Sequence, residues 1–213
     1  METVKSPGEQ RIVLHNIGWN TYERLLADHQ NNSAPRFTYD RGELEIMSPS
    51  PEHEKVNRRI AQLVLAVAEE LGTEAGDLGS TTFRREDIER GFEPDSCFYI
   101  QNEERIRGKD RIDLSTDPPP DLVIEIDITS PSFSKLPIYA QMGVPEVWRY
   151  DGERMTILVL EGSDYVETTE SIVLPPVTST DLTRFVEQSK STRRTDWLRG
   201  VREWAQENPR PSY

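Results

Sequence analysis

The order of patterns along this chain predicts an α/β (α+β) fold in which a mixed central β-sheet is flanked by helices. Three observations carry that expectation. Pro51 to Leu71 shows a single apolar stripe at helical spacing, 121–128 is a β-branched run, and short strand-like segments lie on either side of both.

In chain order, Asn16 to His29 predicts a short helix, because Trp19, Tyr22, Leu25 and Leu26 recur at helical spacing, and Asn31-Asn32-Ser33 predicts a loop after it. Arg36 to Tyr39 and Glu43 to Met47 flank Asp40-Arg41-Gly42, a hairpin signal in which Gly42 supplies the positive φ. Ser50 is placed to cap a helix with Pro51 at its first position. The stripe of Val56, Ile60, Leu63, Val64, Val67 and Leu71 carries that helix to Gly72 and packs it on a sheet. Ser80 to Arg85 and Asp95 to Ile100 read as an antiparallel pair around a charged turn containing Gly91. Pro118-Pro119-Pro120 keeps any helix from running into the strand at 121–128. A second helix is expected from Ser132 to Met142, closed by Gly143, then a strand from Pro145 to Tyr150 and a pair at Met155 to Leu160 and Tyr165 to Thr168. Thr180 to Phe185 and Asp196 to Ala205 read as helical, the latter with Trp197, Val201 and Trp204 on one face. There are no repeats, no phosphate loop, no dinucleotide fingerprint and no metal-binding histidine pair.

The 213 residues suit one globular unit. A formal net charge of -13 counts against a broad nucleic-acid surface. Locally basic clusters do exist: Arg58 and Arg59, Arg84 and Arg85, the Arg105 to Arg111 run, and Lys190, Arg193, Arg194, Arg199 and Arg202. Taken alone, each reads as a solvated surface. A single cysteine, Cys97, allows no internal disulfide and no thiolate zinc site, which fits a reducing compartment and makes the cytoplasm the expected location. The first residues lack an apolar signal core, and the apolar run from Leu63 to Ala68 is too short for a bilayer, so no membrane partner is expected.

Chemistry is best sought in the strand at 121–128. Alternation puts Leu122, Ile124, Ile126 and Ile128 on one face and Asp121, Val123, Glu125 and Asp127 on the other, so one face reads as core and the other as acidic. An ionised Glu125 among apolar residues needs a cation, a donor or solvent, and a metal ion or a sheet arginine would serve. Asp95 opens the preceding long strand, as a turn or strand-start acid or as a partner of Glu125. Two converging carboxylates suit a hard ion such as magnesium. Lys135, just beyond, is either a solvated helix lysine or the cation that steadies a phosphate and orients its attacking water.

These residues also carry a resemblance. Pro94-Asp95, Pro120 to Glu125, Ser130-Pro131-Ser132, Lys135-Leu136 with Tyr139, and Gly143 to Trp148 resemble the Uma family of bacterial "putative restriction endonucleases", within the PD-(D/E)xK nuclease superfamily. The similarity covers about residues 36 to 177 and includes Ser48 to Glu54 at the start of the long helix. It divides the chain into an N-terminal arm and short helix (1–35), a restriction-endonuclease-like core (36–177) and a C-terminal helical extension (178–213), packed together. The resemblance implies Mg2+ dependence with Mn2+ as a substitute, DNA as partner, Asp95 and Glu125 as metal ligands, and Lys135 as a catalytic residue. It also lets Glu54 join the site, binding metal directly or through water. On the helical wheel, however, His53 rather than Glu54 faces the sheet, as a satisfied core-edge histidine, and Tyr139 reads as packing.

One departure stands out. The superfamily pattern places lysine two residues after Glu125, where this chain has Asp127, and relatives lacking that lysine are thought to use a helix lysine, the role Lys135 would inherit. Asp127 is then a further metal ligand, a partner for Lys135, or a mark of lost activity. The expected function is a Mg-dependent endonuclease hydrolysing DNA phosphodiesters, with a homodimer as the expected assembly and no organic cofactor. The alternative is a catalytically silent nuclease-like domain acting in homo-oligomeric or nucleic-acid contacts. Glycoside hydrolysis ranks last, since no aromatic-rich cleft signal accompanies the carboxylates.

Overall fold

The structure, a computed structural model, describes residues 9–29, 34–128 and 134–209. The expected loop at Asn31 to Ser33, the Ser130-Pro131-Ser132 motif and the expected helix start at Ser132 lie outside them. The described elements are β1 (Gln10–Leu14), α1 (Trp19–His29), β2 (Arg36–Asp40), β3 (Glu43–Ser48), α2 (Pro51–Glu70), β4 (Gly76–Gly79), β5 (Phe83–Arg85), β6 (Arg90–Phe92), β7 (Ser96–Tyr99), α3 (Glu103–Ile106), β8 (Leu122–Ile126), α4 (Leu136–Met142), β9 (Glu146–Tyr150), β10 (Met155–Glu161), β11 (Asp164–Thr168), α5 (Ser179–Ser191) and α6 (Arg194–Glu207).

They form a mixed α+β fold with two sheets rather than one. The central sheet runs β11-β10-β9-β8-β7-β4 and is mixed, because β8 and β9 are parallel while their other neighbours are antiparallel. The second sheet, β1-β3-β2-β6-β5, is antiparallel throughout.

Local chemistry explains the agreements. Arg41 and Gly42 both have positive φ (47° and 99°), the conformation of a tight two-residue hairpin, and β2 pairs with β3 across them. Ser50 caps α2, its hydroxyl accepting from His53 N at 3.1 Å, with Pro51 in the first turn, and Gly72 follows the helix at φ 62°.

The segments at Ser80 to Arg85 and Asp95 to Ile100 do not pair, contrary to expectation. Instead β5 pairs with β6 in the second sheet, while β7 joins β4 and β8 in the central one. The turn is made by Glu86 to Glu89, with Glu89 at φ 49°, and Gly91 is a strand residue. Its lack of a side chain is needed there, because a Cβ would stand 2.1 Å from the Tyr22 hydroxyl oxygen. The polar start likewise contains an unforeseen edge strand, β1, paired along β3.

Both faces of the central sheet are covered. On one, Ile60, Val64 and Val67 of α2 meet Leu122, Ile124, Ile126 and Trp148, joined by Phe185 and Val201 from α5 and α6. On the other, Ile138, Tyr139 and Met142 of α4 meet Val123 and Val147. The division of β8 into a core face and an acidic face is therefore corrected: all five of its residues are buried, and the acidic face is core as far as Val123. The second sheet packs Phe37, Tyr39 and Leu44 against Trp19, Tyr22 and Leu26 of α1. Its other face carries Arg11, Met47 and Arg36 in register, beside Val13, Glu45 and Thr38. Among the described residues no helix is long and apolar enough to cross a membrane.

Candidate active site

The polar face of the second sheet meets the acidic end of β8, and the candidate site lies where they meet. Ser96 of β7 pairs with Ile124 of β8, so Asp95, one residue before β7, stands opposite Glu125. Asp95 Oδ2 accepts a hydrogen bond from Ile126 N at 2.7 Å, which ties its carboxylate to the strand that carries Glu125. Thus the structure brings together the two acids the sequence singled out.

Helix α2 fixes Asp95 from outside the sheet. Asn57 Nδ2 donates to the Asp95 carbonyl at 2.8 Å and Asn57 Oδ1 accepts from Ser96 Oγ at 2.9 Å. One turn earlier on the same helix face, the fully buried His53 sets Nε2 3.1 Å from Asp95 Oδ2. His53 faces the sheet as the wheel indicates, but it is not a satisfied core histidine: Nδ1 has no hydrogen-bond partner among the described residues. Arg36, at the start of β2, donates from Nη1 to Asp95 Oδ1 and from Nη2 to Glu54 Oε1. Glu54 thus reaches the site through Arg36, and also lies 3.8 Å from Arg58.

Lys135 and Tyr139 come from α4. Lys135 is not inside the helix but at its N-cap, its carbonyl accepting from Ile138 N and Tyr139 N, so the side chain is free to turn back to the sheet. Arg90 steadies this end of α4, donating to Pro137 O at 3.3 Å and to Asp40 Oδ1 at 2.8 Å. Lys135 Nζ then donates to Glu125 Oε2 at 2.8 Å, and the Tyr139 hydroxyl donates to Glu125 Oε1. Tyr139 therefore touches the site as well as packing. Asp127 lies 3.6 Å from Arg11 and 3.8 Å from Arg149, so the ion-pair partner of Lys135 is Glu125 and not Asp127.

The electrostatics separate the two central acids. Burial pushes the Asp95 carboxyl up, but the adjacent His53 and the charges of Arg36 and Lys135 outweigh it and hold it at about 2. For Glu125 burial prevails over the pull of Lys135, and with Asp95 and Asp127 adding their charges the carboxyl is pushed up to about 7. Burial also raises Asp127, against the pull of Lys135, Arg11 and Arg149. Lys135 is raised as well, and so holds its charge: burial works against that charge, yet Glu125 and Asp95 more than restore it. Glu125, Asp95 and Asp127 thus bring carboxylate oxygens within electrostatic reach of one another, and a hard divalent cation fits such a donor set. Among the described residues no three His, Cys, Asp or Glu side chains converge as a ready-made cage, so an ion held by Asp95 and Glu125 would keep several waters, as magnesium does.

Arg36, Arg11 and Asn57 were not singled out from the sequence. Asn57 carries a usable signal, since it repeats the His53 position four residues on, on the buried face of α2. The arginines carry none, because their approach to the acids depends on how one sheet lies against another.

This is a mixed α+β fold with helices on both faces of its central sheet, and Asp95, just before β7, stands opposite Glu125 of β8. A "putative nuclease belonging to DUF820" from Anabaena variabilis shares that fold, with a TM-score of 0.51 and 16% identity over 80% of this chain and 99% of that one. Residues 19–190 match the model of the Uma2 family, described as "Putative restriction endonuclease", and the chain belongs to that family. A search of curated proteins finds no match.

Proposed function

We propose that the protein is a magnesium-dependent endonuclease that hydrolyses DNA phosphodiester bonds, with manganese able to substitute. The observation that carries this reading is that Asp95, one residue before β7, stands opposite Glu125 of β8, with Lys135 Nζ 2.8 Å from Glu125. Asp95 and Glu125 would hold the ion, with Asp127 close enough in charge to influence Glu125. A bound magnesium ion supplies acidification of a water and stabilisation of charge on a phosphoryl oxygen. Lys135 keeps its proton in this setting, so it serves as a cation for the developing phosphate charge and not as a base. The Tyr139 hydroxyl, whose proton is held still more firmly by burial and by Glu125, orients the Glu125 carboxylate. The chain is proposed to work as a homodimer, since a two-fold assembly matches the symmetry of a duplex.

One observation favours the second reading, a catalytically silent nuclease-like domain in homo-oligomeric or nucleic-acid contacts: Arg36 already occupies Asp95, and Arg11 and Arg149 flank Asp127. Incubation of supercoiled, linear and single-stranded DNA with magnesium or manganese decides between them. Nicking by the wild type that is lost in Glu125→Ala is the expected result. No cleavage of any of these substrates by the wild type overturns the endonuclease reading.

A further inference from the structure

Arg36 does in this structure what a divalent cation would do. Its guanidinium joins two carboxylates that come from different elements, Asp95 before β7 and Glu54 in the first turn of α2. Among the described residues, Asp95 Oδ2 is held by Ile126 N at 2.7 Å and approached by His53 at 3.1 Å, so Oδ1 is the oxygen left for a ligand, and Arg36 is on it.

We propose that Arg36 is the resident counter-cation of the candidate site and the gate to its metal position, leaving Asp95 Oδ1 when a divalent ion takes that oxygen. This rests on the metal-dependent reading of the site. Two cations cannot share one carboxylate oxygen in a partly desolvated setting without strong repulsion, so ion and guanidinium compete. The bound position of Arg36 is also imperfect, because its buried Nε has no hydrogen-bond partner among the described residues. An unsatisfied buried donor makes leaving less costly. Arg36 is 5% exposed whereas the Glu54 side chain that holds its other nitrogen is 32% exposed, and on this proposal the guanidinium turns about Glu54 toward solvent. Arg36 is on this account a positioning residue. It keeps two acids neutralised before loading and sets the affinity at which the ion enters.

The test is calorimetric titration of Mn2+ alone into the full chain, without DNA, comparing the wild type with Arg36→Gln. Loss of the competing charge is expected to tighten Mn2+ binding roughly tenfold or more. Binding seen only in the variant also supports the gate. Equal or weaker binding by a folded Arg36→Gln overturns the gate and leaves the metal reading standing. Absence of binding in both proteins overturns the two together. Because Arg36→Gln leaves Asp95 and Glu54 facing each other and can lower folding yield, the wild type is also followed by nitrogen NMR during Mg2+ titration. The Arg36 Nε resonance is expected to shift as the ion binds, and an unchanged resonance at saturating Mg2+ overturns the proposal without any variant.

Discussion

Glu125 and Glu146 stand on neighbouring parallel strands of one sheet, both buried among apolar residues, and the protein satisfies them in different ways. Glu146 sits on the opposite face from Glu125, in register with Leu122. Among the described residues its carboxylate accepts only from neutral donors: Trp148 Nε1 at 2.5 Å, Ser171 Oγ at 2.6 Å, and the backbone N–H groups of Ile172 and Val173 at 2.7 and 3.3 Å. Glu125 instead has an ammonium and a phenol, with two further carboxylates near enough to act on it. The first arrangement is a staple that fastens the segment after β11 to the sheet. The second is a carboxyl pushed up by burial and tied to a titratable cation, and perturbed groups of that kind are what a site can use.

Exchanging the two roles by mutation gives the largest expected contrast. Glu125→Gln should lower the proposed DNA cleavage by about a thousandfold, equivalent to about 4 kcal/mol of transition-state stabilisation, while the melting temperature stays near that of the wild type. Glu146→Ala should do the reverse, because it strips the acceptor from an indole, a hydroxyl and two backbone donors at once. An expected loss of about 3 kcal/mol would lower the melting midpoint by about 6–12 °C, with cleavage per folded molecule retained. A Glu146→Ala protein that melts with the wild type would remove the staple from this account.

The contrast also shows what was legible in the sequence. An acid within a β-branched run marks Glu125, yet the same pattern describes Glu146 in Glu146-Val147-Trp148, and only spaced motifs set the two apart. The donors that neutralise Glu146 lie at Ser171 to Val173, a stretch without helical or strand period, so the staple could not be read in advance. Short-range features were legible because their causes are local: the Arg41-Gly42 hairpin, the Ser50 cap, the stripe of α2 and the apolar face of β8. The meeting of Asp95, Glu125 and Lys135 followed once their strands were neighbours. Arg36 and Arg11 remained hidden, since a strand pattern tells which residues share a face and not which other sheet that face will meet.

A smaller effect separates the two central acids by pH. With its carboxyl raised to about 7 from an ordinary 4.5, Glu125 binds its proton more tightly in the folded chain than in the unfolded one. Stability of the metal-free protein should therefore fall as pH rises from 4.5 to about 7 and level off above, with a slope of at most about 1.4 kcal/mol per pH unit. Asp95, held at about 2 from an ordinary 3.8, has the opposite sign: its stabilisation is present above 3.8 and is lost as pH falls toward 2. Denaturant midpoints measured across both windows should show a rise, then a decline. In Glu125→Gln the decline should shrink while the acid-side rise stays, and an unchanged decline in that variant would assign it to another group.

The smallest expected effects come from removing one neutral donor from each glutamate. Tyr139→Phe takes away the phenol that donates to Glu125 Oε1, and Ser171→Ala takes away the hydroxyl that donates to Glu146 Oε1. Each should cost on the order of 1 kcal/mol in denaturant unfolding. Their pH behaviour should be separable, because burial raises both carboxyls but Glu125 answers to Lys135 and Glu146, among the described residues, to neutral donors. Losing the phenol removes a bond that favours the ionised Glu125, so in Tyr139→Phe the decline in stability should reach to higher pH than in the wild type. Ser171→Ala should extend the decline as well, because burial also raises the Glu146 carboxyl and the Ser171 hydroxyl opposes that shift, but it should do so equally in the wild type and in a Glu125→Gln background. A displacement by Ser171→Ala that vanished in the Glu125→Gln background would show that the two glutamates are electrostatically coupled through the sheet, and the division between staple and site would then have to be redrawn.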